Sequence, residues 1–341
     1  MRFILSVLLT LLALPAMAQC VGENLLQTME PDKRAKLEAA VKTQPYPSGN
    51  LWRAQRGGHT IHVMGTMHLT DPRLEAYLAP LWPIVDAADL ILLEATRQTM
   101  QQLKTAMLSD RSLMFITDGP TLPDRLPTED WDRLSREMSA RGIPGFMVSK
   151  MQPWYVSMML AIPPCAMAGM AKQNGVDQRI MARAATHGIP TRALEEYDVI
   201  FSLFGGQDSA DEVEMIRMAL DGAKDGDRMI ATLIEAYLSG EHRAIWELSR
   251  LQAMEVTMQS GQDHTKTFAT METKMLTDRN ANWMQVILEA GNDTTNDTGN
   301  DTANSTGNIL VAVGAAHLSG QDGLLSLLEQ AGYKLSRVHG F

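Results

Sequence analysis

The chain has 341 residues, 45% of them hydrophobic, with 30 basic residues against 40 acidic ones and a net charge of -10. That balance excludes the basic stripes that bind nucleic-acid phosphates, and it disfavours an anionic membrane surface. The length suits one large α/β domain and is ample for a buried core.

The first eighteen residues read as a segment outside the fold. Arg2 supplies a positive start, Phe3 to Leu14 is apolar, and Ala16-Met17-Ala18 is a small-x-small cleavage site of the signal-peptide type. Gln19 stands where a lipobox needs a small residue, which argues against lipidation of Cys20. Cleavage after Ala18 removes one basic residue and leaves a net charge near -11. The expected product is periplasmic or secreted, with no transmembrane segment in the mature chain. Its two cysteines, Cys20 and Cys165, are then expected to form a disulfide, because export places them in an oxidising space.

A polar helix is expected over Asp32 to Val41, followed by a loop at Pro45-Tyr46-Pro47. Leu51-Trp52-Arg53-Ala54 starts a sheet region, and Gly57-Gly58 turns into a strand from Thr60 to Met64. A helix from about Ala79 to Ala87 and a short apolar strand, Asp89 to Glu94, complete a βαβ order, which implies a parallel unit. The middle reads as mostly helical: Asp130 to Ala140, Met151 to Ala161, and Gly175 to about His187. Pro190 to Glu195 reads as another short strand ending in a carboxylate. Helical spacing returns at Val213, Ile216 and Leu220, and again from Ile230 to Tyr237, with Ser239-Gly240 as the stop. Thr273 to Ala290 is the next helix, Ile309 to Val313 the last strand and Asp322 to Ala331 the closing helix. The fold class is therefore α/β, a mainly parallel central sheet flanked by helices with a largely helical middle insertion, forming a single domain over residues 19–341.

Before the last strand, Asn292-Asp-Thr-Thr and three similar tetrads repeat with a period of four. No residue there is both apolar and larger than alanine, so residues 291–308 are expected to be a mobile surface loop. The aspartates Asp293, Asp297 and Asp301 offer weak calcium ligands and the Asn-x-Ser/Thr tripeptides offer glycosylation acceptors, but a tolerated repeat expansion explains the tract more simply. The chain's 24 methionines, several clustered between Met147 and Met170, read as flexible helical packing rather than soft-metal ligands.

Two junctions read alike. Ile61 to Met64 is followed by Gly65-Thr66-Met67-His68-Leu69, and Leu310 to Val313 by Gly314-Ala315-Ala316-His317-Leu318. Side chains just past the carboxyl ends of parallel strands line the ligand crevice of open α/β sheets. Glu94 ends the strand after the first copy. Two imidazoles and a carboxylate form the ligand set of hydrolytic Zn sites and also suit Mn or Co. His62, His59, His187, His242, His264 and His339 read as solvated or outward-facing. No His-Glu-x-x-His, Gly-x-Ser-x-Gly or phosphate-binding glycine loop is present.

Leu51-Trp52-Arg53, Gly65-Thr66-Met67-His68, Leu93-Glu94, Gly175-Val176-Asp177, Leu194-Glu195, Arg279-Asn280 with Trp283-Met284, and Gly314-Ala315-Ala316-His317-Leu318 occur in that order. Together they resemble the TraB/GumN family, which is related to the Tiki metalloproteases and more distantly to erythromycin esterases and ChaN haem-binding lipoproteins. The resemblance covers nearly the whole mature chain; the Asn-Asp-Thr tract is its departure. It implies His68 and His317 as ligands of a divalent metal, with Glu94 as ligand or general base. Glu195 and Asp177 are lesser catalytic candidates, and Arg279 is a candidate oxyanion stabiliser. Each has a structural alternative: Asp177 as a helix N-terminal carboxylate, Arg279 as the partner of an acidic neighbour. The resemblance thus implies an exported metal-dependent hydrolase, a peptidase first of all, acting on a peptide or small-molecule substrate. The alternative is a non-catalytic binding protein that takes haem, iron or a small ligand in the same cleft.

Overall fold

The computed structural model describes residues 20, 22–171, 174–204, 209–260, 263–293 and 307–341. The expected signal segment, and all but the ends of the Asn-Asp-Thr tract, lie outside the described residues.

Six strands make one sheet: β1 (Leu51–Arg56), β2 (His59–Thr66), β3 (Leu90–Leu93), β4 (Thr191–Ala193), β5 (Asn308–Gly314) and β6 (Lys334–Arg337), in the order β4-β3-β5-β2-β1-β6. The pairs β2–β5, β3–β5 and β3–β4 are parallel. The hairpin through Gly57-Gly58 makes β1 antiparallel to β2, and β6 closes the other side of β1, also antiparallel. The sheet is therefore mixed, with its parallel half where the two Gly-x-x-His junctions sit.

The central strand explains its own position. Ile309, Leu310, Val311, Ala312 and Val313 are all buried, as a strand covered on both faces must be. Alternation divides them. Leu310 and Ala312 pack in one layer with Leu74, Leu78, Val85, Val176 and Ile180. Ile309, Val311 and Val313 pack in the opposite layer with Trp283, Ile287, Leu324 and Leu328. Each such side chain taken from water contributes about 1.5–3 kcal/mol, so a one-residue slip of β5 would exchange the two layers and lose both.

The helical middle has its own apolar cluster, in which Leu122, Leu134, Met138, Val156, Leu160, Ile216 and Leu220 are buried together. Helices Thr128–Ala140, Pro153–Leu160 and Ser209–Gly222 supply most of it. The sequence is thus an α/β fold with a helical insertion, as expected. The disulfide Cys20–Cys165 is present, with Cα atoms 5.0 Å apart, and ties the start of the described chain to the helix Pro164–Ala171. Among the described residues, no helix is long and apolar enough to cross a membrane.

Several local expectations need correction. The helix expected over Ala79 to Ala87 is a 3-10 turn, Ala79–Leu81, leading into a short α-helix, Trp82–Asp86. Pro83 at the start of that helix is tolerated because its missing N–H would have been unpaired there. The helix expected from Thr273 begins as a π-turn, Thr273–Thr277, before Asp278–Asp293. Strand β6 and helices Arg97–Ser109 and His242–Ser260 were not expected at all. His242 and His264, expected to be solvated, are buried.

Candidate metal centre at the strand ends

Parallel register brings the site residues to one level. Thr66 pairs with Gly314, and Leu93 with Ala312, so β2, β5 and β3 end side by side. His68 lies two residues beyond β2, His317 three beyond β5, Glu94 one beyond β3 and Glu195 two beyond β4. Gly65 is required by close approach: a Cβ there would meet Leu318 Cδ1 at 2.7 Å and Ala315 Cα at 3.0 Å, between the two junctions. Gly175 is required for the same reason, since a Cβ would lie 2.5 Å from the carbonyl oxygen of His68.

The second of these contacts docks a helix on the His68 turn. Val176 N–H donates to the Met67 carbonyl at 2.9 Å, and Asp177 follows in the first turn of helix Val176–His187. Asp177 Oδ2 lies 2.7 Å from His68 Nδ1, while Oδ1 accepts from the Thr66 hydroxyl. Asp177 is thus both a helix N-terminal carboxylate and the anchor of His68; the two readings of the sequence coincide. The Asp177 charge and hydrogen bond raise the His68 pKa to about 9. The His68 side chain is 66% exposed, so water screens the pair and softens that rise.

His317 is held from the other side. Its Nδ1 is 2.7 Å from Asn280 Oδ1, and Asn280 Nδ2 donates to the Asp322 carbonyl at 2.8 Å. An amide oxygen only accepts, so the His317 proton sits on Nδ1 and Nε2 is an acceptor. That Nε2 lies 4.0 Å from Glu94 Oε1 and 3.3 Å from Arg279 Nη1. Burial is the main reason the His317 pKa falls to about 4, against the pull of Glu94. The Trp283 ring lies 4.4 Å from the His317 ring and covers it.

Glu94 accepts from the Gly314 N–H at 2.6 Å through Oε1 and from Arg279 Nη2 at 2.6 Å through Oε2. Burial works against its charge, but His317, Arg279, His68 and the Gly314 N–H outweigh burial and bring its pKa down to about 2. Glu195 accepts Arg279 Nε at 2.9 Å and Nη2 at 2.7 Å, and the Trp283 indole N–H at 3.0 Å. This fork-on-fork pair is the strong geometry for an arginine. It makes Glu195 the residue that positions Arg279 from below, with Trp283 under the guanidinium at 4.6 Å.

The structure therefore brings His317, Glu94, Arg279 and Glu195 into one network, with His68 and Asp177 beside it at the same sheet edge. Asn280, Thr66 and Trp283 had no role assigned from sequence. The helical spacing of Asn280 and Trp283, three residues apart and next to Arg279, was the available signal that they share a face.

A divalent cation suits this set in donor type and orientation. Both imidazoles have Nδ1 engaged by an oxygen acceptor, as metal-bound histidines usually do, which leaves Nε2 the ligating atom, in His317 one that accepts from Arg279 Nη1. The donors are oriented rather than gathered. Among the described residues, the group of three such side chains with ligand atoms within 4.8 Å of one another is Cys20, Cys165 and Asp227, whose sulfurs are joined in the disulfide. Binding an ion between His317 and Glu94 requires Arg279 to give up one of its contacts there.

Comparison with curated proteins finds no match, and comparison with solved structures finds none either. The TraB/PrgY/gumN family model matches residues 50–337, from Asn50 just ahead of β1 to the end of β6, and so spans every strand that carries the site. The chain belongs to the TraB/PrgY/gumN family.

Proposed function

We propose that this protein is an exported, divalent-metal-dependent hydrolase of amide or ester bonds, with a peptide as the first substrate class. His68, His317 and Glu94 would hold Zn, Mn or Co. The observation that carries the reading is the orientation of the imidazoles: Asp177 fixes one Nδ1 and Asn280 the other, which turns Nε2 of each ring toward ligation, that of His317 lying 4.0 Å from the partly buried Glu94 carboxylate. When bound, the ion supplies an acidified water at neutral pH.

The chain's own residues have separate tasks in this reading. Asp177 and Asn280 orient the imidazoles. Glu94, kept ionised by its neighbours, is a ligand or accepts a proton from the attacking water. Arg279 is a fixed cation for the developing oxyanion, held for that purpose by Glu195 and Trp283. The Cys20–Cys165 disulfide is compatible with an oxidising compartment outside the cytoplasm.

The test is turnover by the mature protein on peptide and ester libraries with Mn, Co or Zn. Glu94→Gln should lower kcat by about 100-fold or more, as loss of a proton-transfer or ligand group does. A wild-type protein that cleaves nothing in either library, yet carries haem with a Soret band from its host, would replace the hydrolase reading with the binding-protein one.

A further inference from the structure

A cavity of about 720 Å³ lies away from the strand ends and shares no residue with the candidate metal centre. Its size is typical of small-molecule sites. The segment from Leu25 to Lys33 borders it, together with helices Ser209–Gly222, Gly226–Leu238, His242–Ser260 and His264–Glu272. Leu25, Leu160, Met218, Met229, Leu248 and Phe268 give it an apolar wall. Methionine is unbranched and adaptable, so such a wall moulds to different apolar shapes.

Two polar atoms among these side chains are buried without a hydrogen-bond partner, His264 Nε2 and Arg228 Nε. The His264 side chain is 8% exposed and lines the cavity, and its Nε2 has no hydrogen-bond partner. Its Nδ1 lies 3.5 Å from Glu214 Oε1. A carboxylate only accepts, so the proton faces Glu214 and Nε2 is left as a buried acceptor. Buried acceptors without partners are costly and uncommon, which makes this atom the natural counterpart of a donor on a ligand. The charged side chains of the lining are mostly paired. Glu30, Asp221, Asp225 and Glu255 stand there against Lys33 and Arg228. Lys33 is paired with Glu255 at 2.6 Å and Arg228 with Asp225 at 3.2 Å. Asp221 is paired with Arg133 at 2.9 Å and with Lys224 at 2.9 Å.

We propose that this cavity binds an amphiphile whose apolar body fills the methionine-containing wall and whose hydroxyl or amine head donates a hydrogen bond to His264 Nε2. A hydroxyl both donates and accepts and can serve His264 Nε2 or Arg228 Nε, whereas a carboxylate has no proton to give His264 Nε2. The site is independent of the hydrolase reading, because the two share no side chain.

The mature, disulfide-intact protein is titrated with N-phenyl-1-naphthylamine, an apolar amine that brightens when desolvated, and the probe is then displaced with dodecanol, dodecylamine or dodecanoate. The expected result is saturable binding of one probe per chain, displaced by the alcohol and the amine and at least about tenfold less well by the carboxylate. His264→Phe should weaken dodecanol by up to about tenfold, the worth of one buried hydrogen bond. Ala253→Phe places a ring in the cavity and should abolish probe binding while the chain still unfolds cooperatively; Ala219→Phe fills it from another helix should the first variant not fold. Absence of saturable binding, equal displacement by dodecanoate, or wild-type binding in a folded cavity-filled variant would overturn the proposal.

Discussion

Asp177 Oδ2 meets His68 Nδ1 at 2.7 Å across 109 residues of sequence, and the other Asp177 oxygen accepts from Thr66, the last residue of the strand that delivers His68. One carboxylate at a helix start thus fixes both the strand end and the ring beyond it.

Asp177→Asn should remove the charge that raises His68. In the metal-free protein, an NMR titration of His68 should shift from its raised value toward its ordinary one. A metal needs the neutral ring, so in the wild type a cation competes with a proton at neutral pH, and affinity should increase as pH rises toward 9. Loss of the orienting carboxylate should cost about 10–100-fold in metal affinity. An unchanged affinity would show that His68 does not need Asp177.

Arg279→Ala should strand two partly buried carboxylates, because Glu94 and Glu195 both lose a cation at 2.6 and 2.7 Å. The metal-free protein should lose about 1–3 kcal/mol of stability, the worth of charge-assisted hydrogen bonds at partly buried groups. Added Mn or Zn should return part of it by neutralising Glu94. Turnover should fall while metal binding is retained, since the arginine competes with the ion and does not hold it. Urea unfolding with and without metal, alongside metal titration, separates the two effects.

The sheet was legible because β2 and β5 are apolar runs that stop at the same Gly-x-x-His pattern, and β3 ends in a carboxylate. The pairing of Cys20 with Cys165 was legible from compartment and count alone. β6 was not, because Lys334-Leu335-Ser336-Arg337 is short, polar and at the sheet edge, with no alternating stripe to read. The partners of the histidines were hidden for a different reason. Asp177 and Asn280 lie 109 and 37 residues from the rings they orient, and a single sequence carries no distance information across such gaps. His242 looked solvated among Glu241 and Arg243, yet it caps the fold from inside, 3.2 Å from buried Asn50.

That burial makes His242 a source of acid sensitivity. Removal from water, with Arg243 and Arg337 nearby, lowers its pKa to about 3. Above pH 6.5 the ring is neutral in folded and unfolded chains, and its effect on stability is constant. As pH falls below 6.5 the unfolded chain takes the proton first, so stability is lost until the folded pKa is reached. The limiting slope is about 1.4 kcal/mol per pH unit for one such group. His242→Gln should therefore flatten the stability curve between about pH 6 and pH 4 relative to wild type, measured by urea unfolding.

Removing the disulfide with Cys165→Ser should reopen a connection spanning 145 residues. A loss of about 2–5 kcal/mol is expected. Metal binding should be unaffected, because neither cysteine borders the strand-end network. A variant that loses its metal but keeps its fold would contradict the separation of the two regions.

In the proposed site His68 and His317 share one ion. Calorimetric titration of Mn, Co or Zn into metal-stripped mature protein measures this directly. One ion per wild-type chain is expected, with affinity reduced by about 100-fold or more in both His68→Ala and His317→Ala, beyond what loss of an orienting residue costs. A wild type that binds no ion, or either variant binding like wild type, would contradict it.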